Sequence, residues 1–240
     1  MQKNPYRRWR IRIFTSTWLA YVGFYFCRKC FYVVKSSLAR ELTLSATELG
    51  EIGSVYNIAY AIGQFSCAAL GPKLGPRFLL LMGMGTSLVC NIIFGFSNNY
   101  WTLLAFMFVN GLAQATGWSS NIGTLASWTK RHERGLLMGL WATCFQLGGV
   151  MANAYAAFWL ARQGWRGSFF AASVALGLIW LYVFLNQRNK PEDVGLAPLE
   201  DEDSKGKGPS CGAAGELWSR SMLITTGLVG LFYFGVKFIR

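Results

Sequence analysis

Seven apolar stretches run along the chain, over residues 11–38, 49–70, 78–96, 101–128, 135–160, 168–185 and 222–239. Each is close to the ~20 residues that carry an α-helix across a bilayer. Short polar loops part the first six. A charged, glycine- and proline-containing stretch, 186–221, parts the sixth from the seventh; its acidic run Glu200–Asp203 and the Ser204–Pro209 segment hold too few apolar side chains to pack a core. The pattern predicts an all-α membrane protein: a six-span bundle over residues 1–185, a linker over 186–221, and over 222–240 the first span of a second bundle. Hydrophobic residues make up 53% of the chain and charged residues 14%, which no soluble core of 240 residues requires.

The formal charge of +12 changes this picture through its distribution. Lys3, Arg7, Arg8, Arg10, Arg12, Lys73, Arg77, Lys130, Arg131, Arg134, Arg188, Lys190, Lys205, Lys207 and Arg220 fall in loops on one side of the predicted spans. Only Lys35, Arg40, Arg162 and Arg166 fall on the other. Basic loops face the cytoplasm, so the N-terminus and the linker are expected there, and the basicity reports topology rather than nucleic-acid binding. The first span is too long for a secretory signal and has no small-residue cleavage site behind it.

Two cations break the first span. An ionised side chain deep in a spanning helix costs about 2.5–3.5 kcal/mol on insertion scales, and Arg28 and Lys29 stand there together. Tyr21, Tyr25 and Arg28, at i, i+4 and i+7, share a helical face. Two phenols and a guanidinium fork suit a phosphate or carboxylate. No acidic residue lies deep in the first six spans to pair with Arg28. A structural arginine bonded to a carbonyl or a lipid headgroup is the plainer alternative, and Lys29, about 100° round the helix, reaches either the same ligand or the interface.

Other candidate chemistry recedes. The six cysteines lie mostly in spans, which argues against a disulfide framework. Cys27 and Cys30 form one CxxC with no second pair or histidine, which reads as small buried cysteines rather than a metal or redox site. His132, the single histidine, falls in a basic loop. No carboxylate pair, activated nucleophile or ligand cluster points to catalysis, so no enzyme, cofactor or metal is expected. Gly135 and Gly139, in GxxxG spacing, and Gly148-Gly149 are expected to let helices approach closely.

The motifs resemble a known family, the organophosphate:phosphate antiporters of the major facilitator superfamily. The likeness runs from Tyr21-x-x-x-Tyr25-x-x-Arg28-Lys29 through Ala59-Tyr60, Gly111-Leu-Ala-Gln-Ala-Thr-Gly-Trp118 and Glu133-Arg134-Gly135 to Pro191-Glu-Asp-Val-Gly195-Leu196, and Phe234-Gly-Val-Lys237 looks like the glucose-6-phosphate transporters. The resemblance implies a bundle of three-plus-three repeated helices and a phosphate held between a first-span cation, Arg28, and a seventh-span cation, Lys237. It places Tyr21, Tyr25, Lys29, Tyr60 and Trp118 around the same cavity. It implies a twelve-span protein whose C-terminal half completes the carrier. Two cations from opposite halves can bridge one dianion, and exchange follows if the loaded carrier crosses more readily than the empty one.

Three positions depart from the family's pattern. Phe145 stands where relatives carry a fifth-span histidine, Gln64 where the glycerol-3-phosphate type has a second-span lysine, and Pro72 where an acid is expected between the second and third spans. The leading expectation is an antiporter exchanging a sugar phosphate, such as glucose 6-phosphate or another hexose phosphate, for inorganic phosphate in a bacterial inner membrane. The alternative is a sensor of the same fold that binds the sugar phosphate and signals to a partner kinase.

Overall fold

The computed structural model describes residues 5–199. The stretch 222–239, with Lys237, and the linker beyond Leu199 lie outside the described residues. Helix α1, Pro5–Leu42, covers the first predicted span and overruns it at both ends. Its 38 residues make a rod of about 57 Å, against roughly 30 Å of hydrocarbon, so its first turns, bearing Arg7, Arg8, Arg10 and Arg12, stand clear of the apolar layer. Helices α2 (Ala46–Leu74), α3 (Pro76–Phe96) and α4 (Tyr100–Trp128) follow the next three spans. The fifth span is divided between α5, Arg134–Trp141, and the first limb of α6, Thr143–Asn186. The sixth is the second limb, beyond a bend at Gly164 (φ +70°).

Local chemistry marks the ends. Ser45 accepts from the Glu48 backbone N–H (3.2 Å) while the Glu48 carboxylate accepts from the Ser45 N–H (2.8 Å), a capping box that starts α2. Gly75, at φ +79°, turns the chain between α2 and α3, and Pro76 opens α3 where its missing N–H costs nothing. The Asn99 side chain accepts from the Trp101 N–H (2.9 Å) at the start of α4.

The helices pack in an order that a twice-repeated three-helix unit explains. α1 lies on both limbs of α6, α2 on α4, and α3 on α4 and α6. Tyr21 and Phe26 meet Phe145 and Tyr155 on the first limb of α6, while the Cys27 thiol points at the Ala172 carbonyl on the second. Gly63 of α2 packs on Ala115 of α4, and Phe94 of α3 stacks at 4.4 Å on Phe169 of the second limb. Exchanging the first three spans with the last three maps α2·α4 onto the fifth span with α1, and α3·α4 onto the sixth with α1. The three-plus-three architecture therefore stands in the packing even though the two halves share little sequence.

Small residues set the close approaches, but not the ones the GxxxG spacing marks. A Cβ on Gly135 or Gly139 would meet nothing within 4 Å, because α5 turns that face outward; of Gly148 and Gly149 only the former contacts α1. The tight crossings are at Gly83, where a Cβ would fall 1.9 Å from the Thr116 hydroxyl, and at Gly111, 2.5 Å from the Tyr56 carbonyl. Spacing alone does not say which face a glycine presents. On length and composition, Pro76–Phe96 and Arg131–Asn186 are the stretches of the described residues apolar enough to cross a membrane. Polar side chains of α1, α2 and α4, among them Arg28, Tyr56 and Gln114, meet one another.

At the basic end of the bundle Arg10 of α1 pairs with Glu133 beside α5, Trp9 stacks on Trp128 (6.3 Å), and the Trp128 indole N–H donates to the Arg188 carbonyl (3.2 Å). The chain leaving α6 is held there too. Gln187 Nε2 donates to Thr124 Oγ1 (3.1 Å), and a 3-10 turn, Pro191–Val194, closes with Gly195 in the left-handed region (φ +71°). The described start of the linker is thus folded onto the bundle.

Candidate anion-binding site

Arg28 sits where α1, α2 and α4 meet. Its guanidinium lies over three phenol rings, 5.3 Å from the centre of Tyr25, 5.9 Å from Tyr56 and 4.9 Å from Tyr60. Ring faces carry negative electrostatic potential, so the box stabilises a cation without neutralising it. Among the described residues Arg28 makes no ion pair. The carboxylate within the bounds of the second predicted span, Glu51, lies near the start of α2 and accepts a hydrogen bond from the Tyr100 hydroxyl.

The guanidinium is held from behind by α4. Arg28 Nε donates to Gln114 Oε1 (3.1 Å), and the buried Tyr56 hydroxyl donates to the same oxygen (2.7 Å). Gln114 Nε2 donates to Ser87 Oγ and Asn110 Oδ1, each at 3.2 Å, and the Ser87 hydroxyl donates to Asn110 Oδ1 (2.6 Å). One chain of hydrogen bonds thus links four helices and ends on Arg28. In an apolar interior such a network fixes side chains firmly, because every alternative leaves a polar group unpaired. Using Nε as the anchor point leaves the two-nitrogen edge of the fork for a ligand.

Beside this box lies an aromatic cluster. Tyr21, 6% exposed, meets Tyr25 (5.8 Å), Phe145 (5.1 Å), Trp141 (5.3 Å) and Trp118 (6.3 Å). Trp118 stacks on Phe145 at 5.8 Å, yet 41% of it is exposed, so the cluster has an open side. Phe14, Tyr21 and Arg28 repeat every seven residues on α1. Phe14 reaches a cavity of about 840 Å³ at the basic end, lined also by Arg7, Arg10, Leu125 and Lys130. The same stripe of α1 therefore runs from that cavity, past the aromatic cluster, to the cation.

Of the residues singled out in the sequence, Tyr21, Tyr25, Arg28, Tyr60 and Trp118 come together. Lys29 does not join them: it is half-buried and makes no hydrogen bond or ion pair among the described residues. Lys237 lies outside them. Sequence reasoning missed Gln114, Tyr56, Ser87, Asn110 and Trp141. Gln114 stands within the quoted motif of α4, but a lone amide there carries no periodic signal. The described cysteines are buried and unpaired, and among the described residues no three His, Cys, Asp or Glu side chains group as metal ligands would.

Residues 17–239 match the Major Facilitator Superfamily, and the chain belongs to that family. Its relatives are those the motifs pointed to. It is 31% identical over 198 residues to a probable hexose phosphate transport protein of Chlamydia trachomatis, covering 82% of this chain and 43% of that one. It is 29% identical to the membrane sensor protein UhpC of Salmonella typhimurium (82% and 44%) and 29% identical to the glycerol-3-phosphate transporter of Bacillus subtilis (82% and 45%). The chain thus spans less than half the length of these curated relatives. In fold it resembles the crystal structure of a bacterial homolog of the human lysosomal transporter Spinster, inward-facing and unoccupied, with a TM-score of 0.70 at 18% identity, over 79% of this chain and 44% of that one.

Proposed function

We propose that this chain forms the phosphate-recognising half of a secondary transporter that exchanges a sugar phosphate, such as glucose 6-phosphate or another hexose phosphate, for inorganic phosphate. The observation that carries the reading is Arg28: a cation boxed by tyrosines, anchored through Nε by Gln114, with its charge unpaired among the described residues. Such a group attracts a dianion strongly, and the low local dielectric makes the attraction worth far more than in water. Tyr25 and Tyr60 would offer hydroxyls to the phosphate, and Tyr21 and Trp118 an apolar wall to the sugar. Lys29 remains a candidate second cation on the same helix.

In this reading Lys237, from a span beyond 221, supplies the opposing cation, and the halves rock about a ligand gripped between the two. The arginines of α1 and the basic loops at that end support a cytoplasmic N-terminus, and the bacterial relatives support an inner-membrane location. The relatives include transporters and a sensor, and the site as described serves either. The test is uptake of labelled glucose 6-phosphate into phosphate-loaded liposomes holding the full-length gene product, with Arg28→Gln alongside. Uptake that requires internal phosphate and is lost in the variant supports the antiporter. Binding without uptake moves the assignment to a sensor, and neither binding nor uptake overturns the reading.

A further inference from the structure

On the far side of α4 from Trp118 the basic end holds a second cavity, of about 340 Å³, between the end of α2 and the start of α3. Ser120 and Ser127 face it from about 200° and 180° round the helix from Trp118, at 100° per residue, so it is separate from the Arg28 face. Ser119, Ser120, Ser127, Asn189 and Lys190 line it, together with Pro76 in the first turn of α3; Cys67 and Leu79 form apolar wall. Ser120 is 2% exposed and its hydroxyl oxygen has no hydrogen-bond partner among the described residues, whereas the neighbouring Ser119 hydroxyl is turned to the Cys67 thiol. A buried hydroxyl without a partner is costly, and one on a cavity wall calls for a ligand.

The surrounding charge says which kind. α3 is 21 residues long and points its N-terminus, the positive end of its dipole, at the cavity. The Arg77 backbone N–H there is taken by Asn189 Oδ1 (2.7 Å), which turns the amide nitrogen of Asn189 toward Gly75. No carboxylate lines the cavity. Asp193, on the turn that follows Lys190, is engaged with the backbone N–H groups of Asn189 (2.9 Å) and Lys190 (3.1 Å).

We propose that this cavity binds a phosphate group, as inorganic phosphate or as the head of a phosphate ester. Lys190 and the helix end supply the charge, and the unpartnered Ser120 hydroxyl supplies a donor. Its volume exceeds that of a bare phosphate, and its apolar wall takes the first carbons of an ester. A phospholipid headgroup and a soluble phosphate share this chemistry. Because the cavity lies between the α2–α3 turn and the segment leaving α6, a bound phosphate ties those two connections together.

The experiment uses the full chain carrying Arg28→Gln, so that the site under "Proposed function" does not contribute and its fate is read separately. Radiolabelled inorganic phosphate is titrated by equilibrium dialysis in detergent. In parallel, protein from phosphatidylglycerol or phosphatidylcholine nanodiscs is weighed by native mass spectrometry. Ser120→Ala with Lys190→Gln is added in a second variant, whose unfolding midpoint certifies its fold. The expected result is saturable phosphate binding, or selective retention of phosphatidylglycerol, that weakens about tenfold or more in the second variant. Phosphate binding alone identifies a soluble ligand and phosphatidylglycerol retention alone a lipid. Binding of both kinds that is absent from the first variant, or unchanged in the second, overturns the proposal.

Discussion

Replacing Gln114 by Glu tests whether Arg28 is held as an unneutralised cation for a ligand. The change preserves length and the acceptor oxygen that takes the Arg28 Nε–H (3.1 Å) and the Tyr56 hydroxyl (2.7 Å). It adds a negative charge against the guanidinium. Two unit charges about 4 Å apart attract by about 4 kcal/mol at an effective dielectric constant near 20. Desolvating the new carboxylate takes back part of that, leaving about 2–3 kcal/mol that an incoming phosphate must overcome. Sugar-phosphate binding should weaken about 30- to 150-fold. The lost donors to Ser87 and Asn110 (3.2 Å each) lower stability by only about 1 kcal/mol. Gln114→Met, which removes the acceptor without adding charge, should weaken binding much less. Calorimetric titration of glucose 6-phosphate measures this, with unfolding midpoints as control. Affinity in Gln114→Glu equal to that of the parent would refute the idea that Arg28 keeps its charge for the ligand.

Three further outcomes follow from the packing and the charges. Gly83→Ala should disrupt the α3–α4 crossing, since its Cβ would fall 1.9 Å from Thr116 Oγ1 and 2.5 Å from the Ala113 carbonyl; a loss of about 3 kcal/mol or more is expected, read as a lower unfolding midpoint, whereas Gly139→Ala, with nothing within 4 Å, should be silent. The hydrogen bond from Arg10, aided by its charge, holds the Glu133 carboxyl below the usual carboxylate range. Its contribution is therefore complete above about pH 4.3 and fades as pH falls through the depressed value. It amounts to at most about 1 kcal/mol for so accessible a pair, and the midpoint difference between the parent and Glu133→Gln should be flat from neutral pH to about 5 and shrink as the pH is lowered further. Phe145→His puts an imidazole against Tyr21 and Trp118 and should give phosphate binding a new transition near pH 6.5, visible as a difference between the two pH profiles.

The first helix was the most legible part of the chain, because a charge in an apolar run is conspicuous and a repeat of four and three residues places Tyr21, Tyr25 and Arg28 on one face. The three loops between the first four spans carry turn or cap residues, Ser45, Gly75 and Asn99, one in each. What holds Arg28 was not legible. Gln114 and Asn110 lie one turn apart on α4 and Ser87 on α3, and only the α3–α4 crossing at Gly83 and Thr116 brings the two helices' polar residues into register. The glycine spacing at 135 and 139 misled because periodicity records which residues share a face, not what that face meets. The break between α5 and α6 at Ala142 has no proline or glycine to announce it.

The most direct measurement is binding of glucose 6-phosphate and of inorganic phosphate to the purified full-length gene product, compared with Arg28→Gln and Arg28→Lys. The account predicts that both ligands compete for one site, that Gln abolishes binding, and that Lys, which keeps the charge but loses the fork and the Nε bond to Gln114, retains a weakened remnant. Undiminished binding in Arg28→Gln would contradict it.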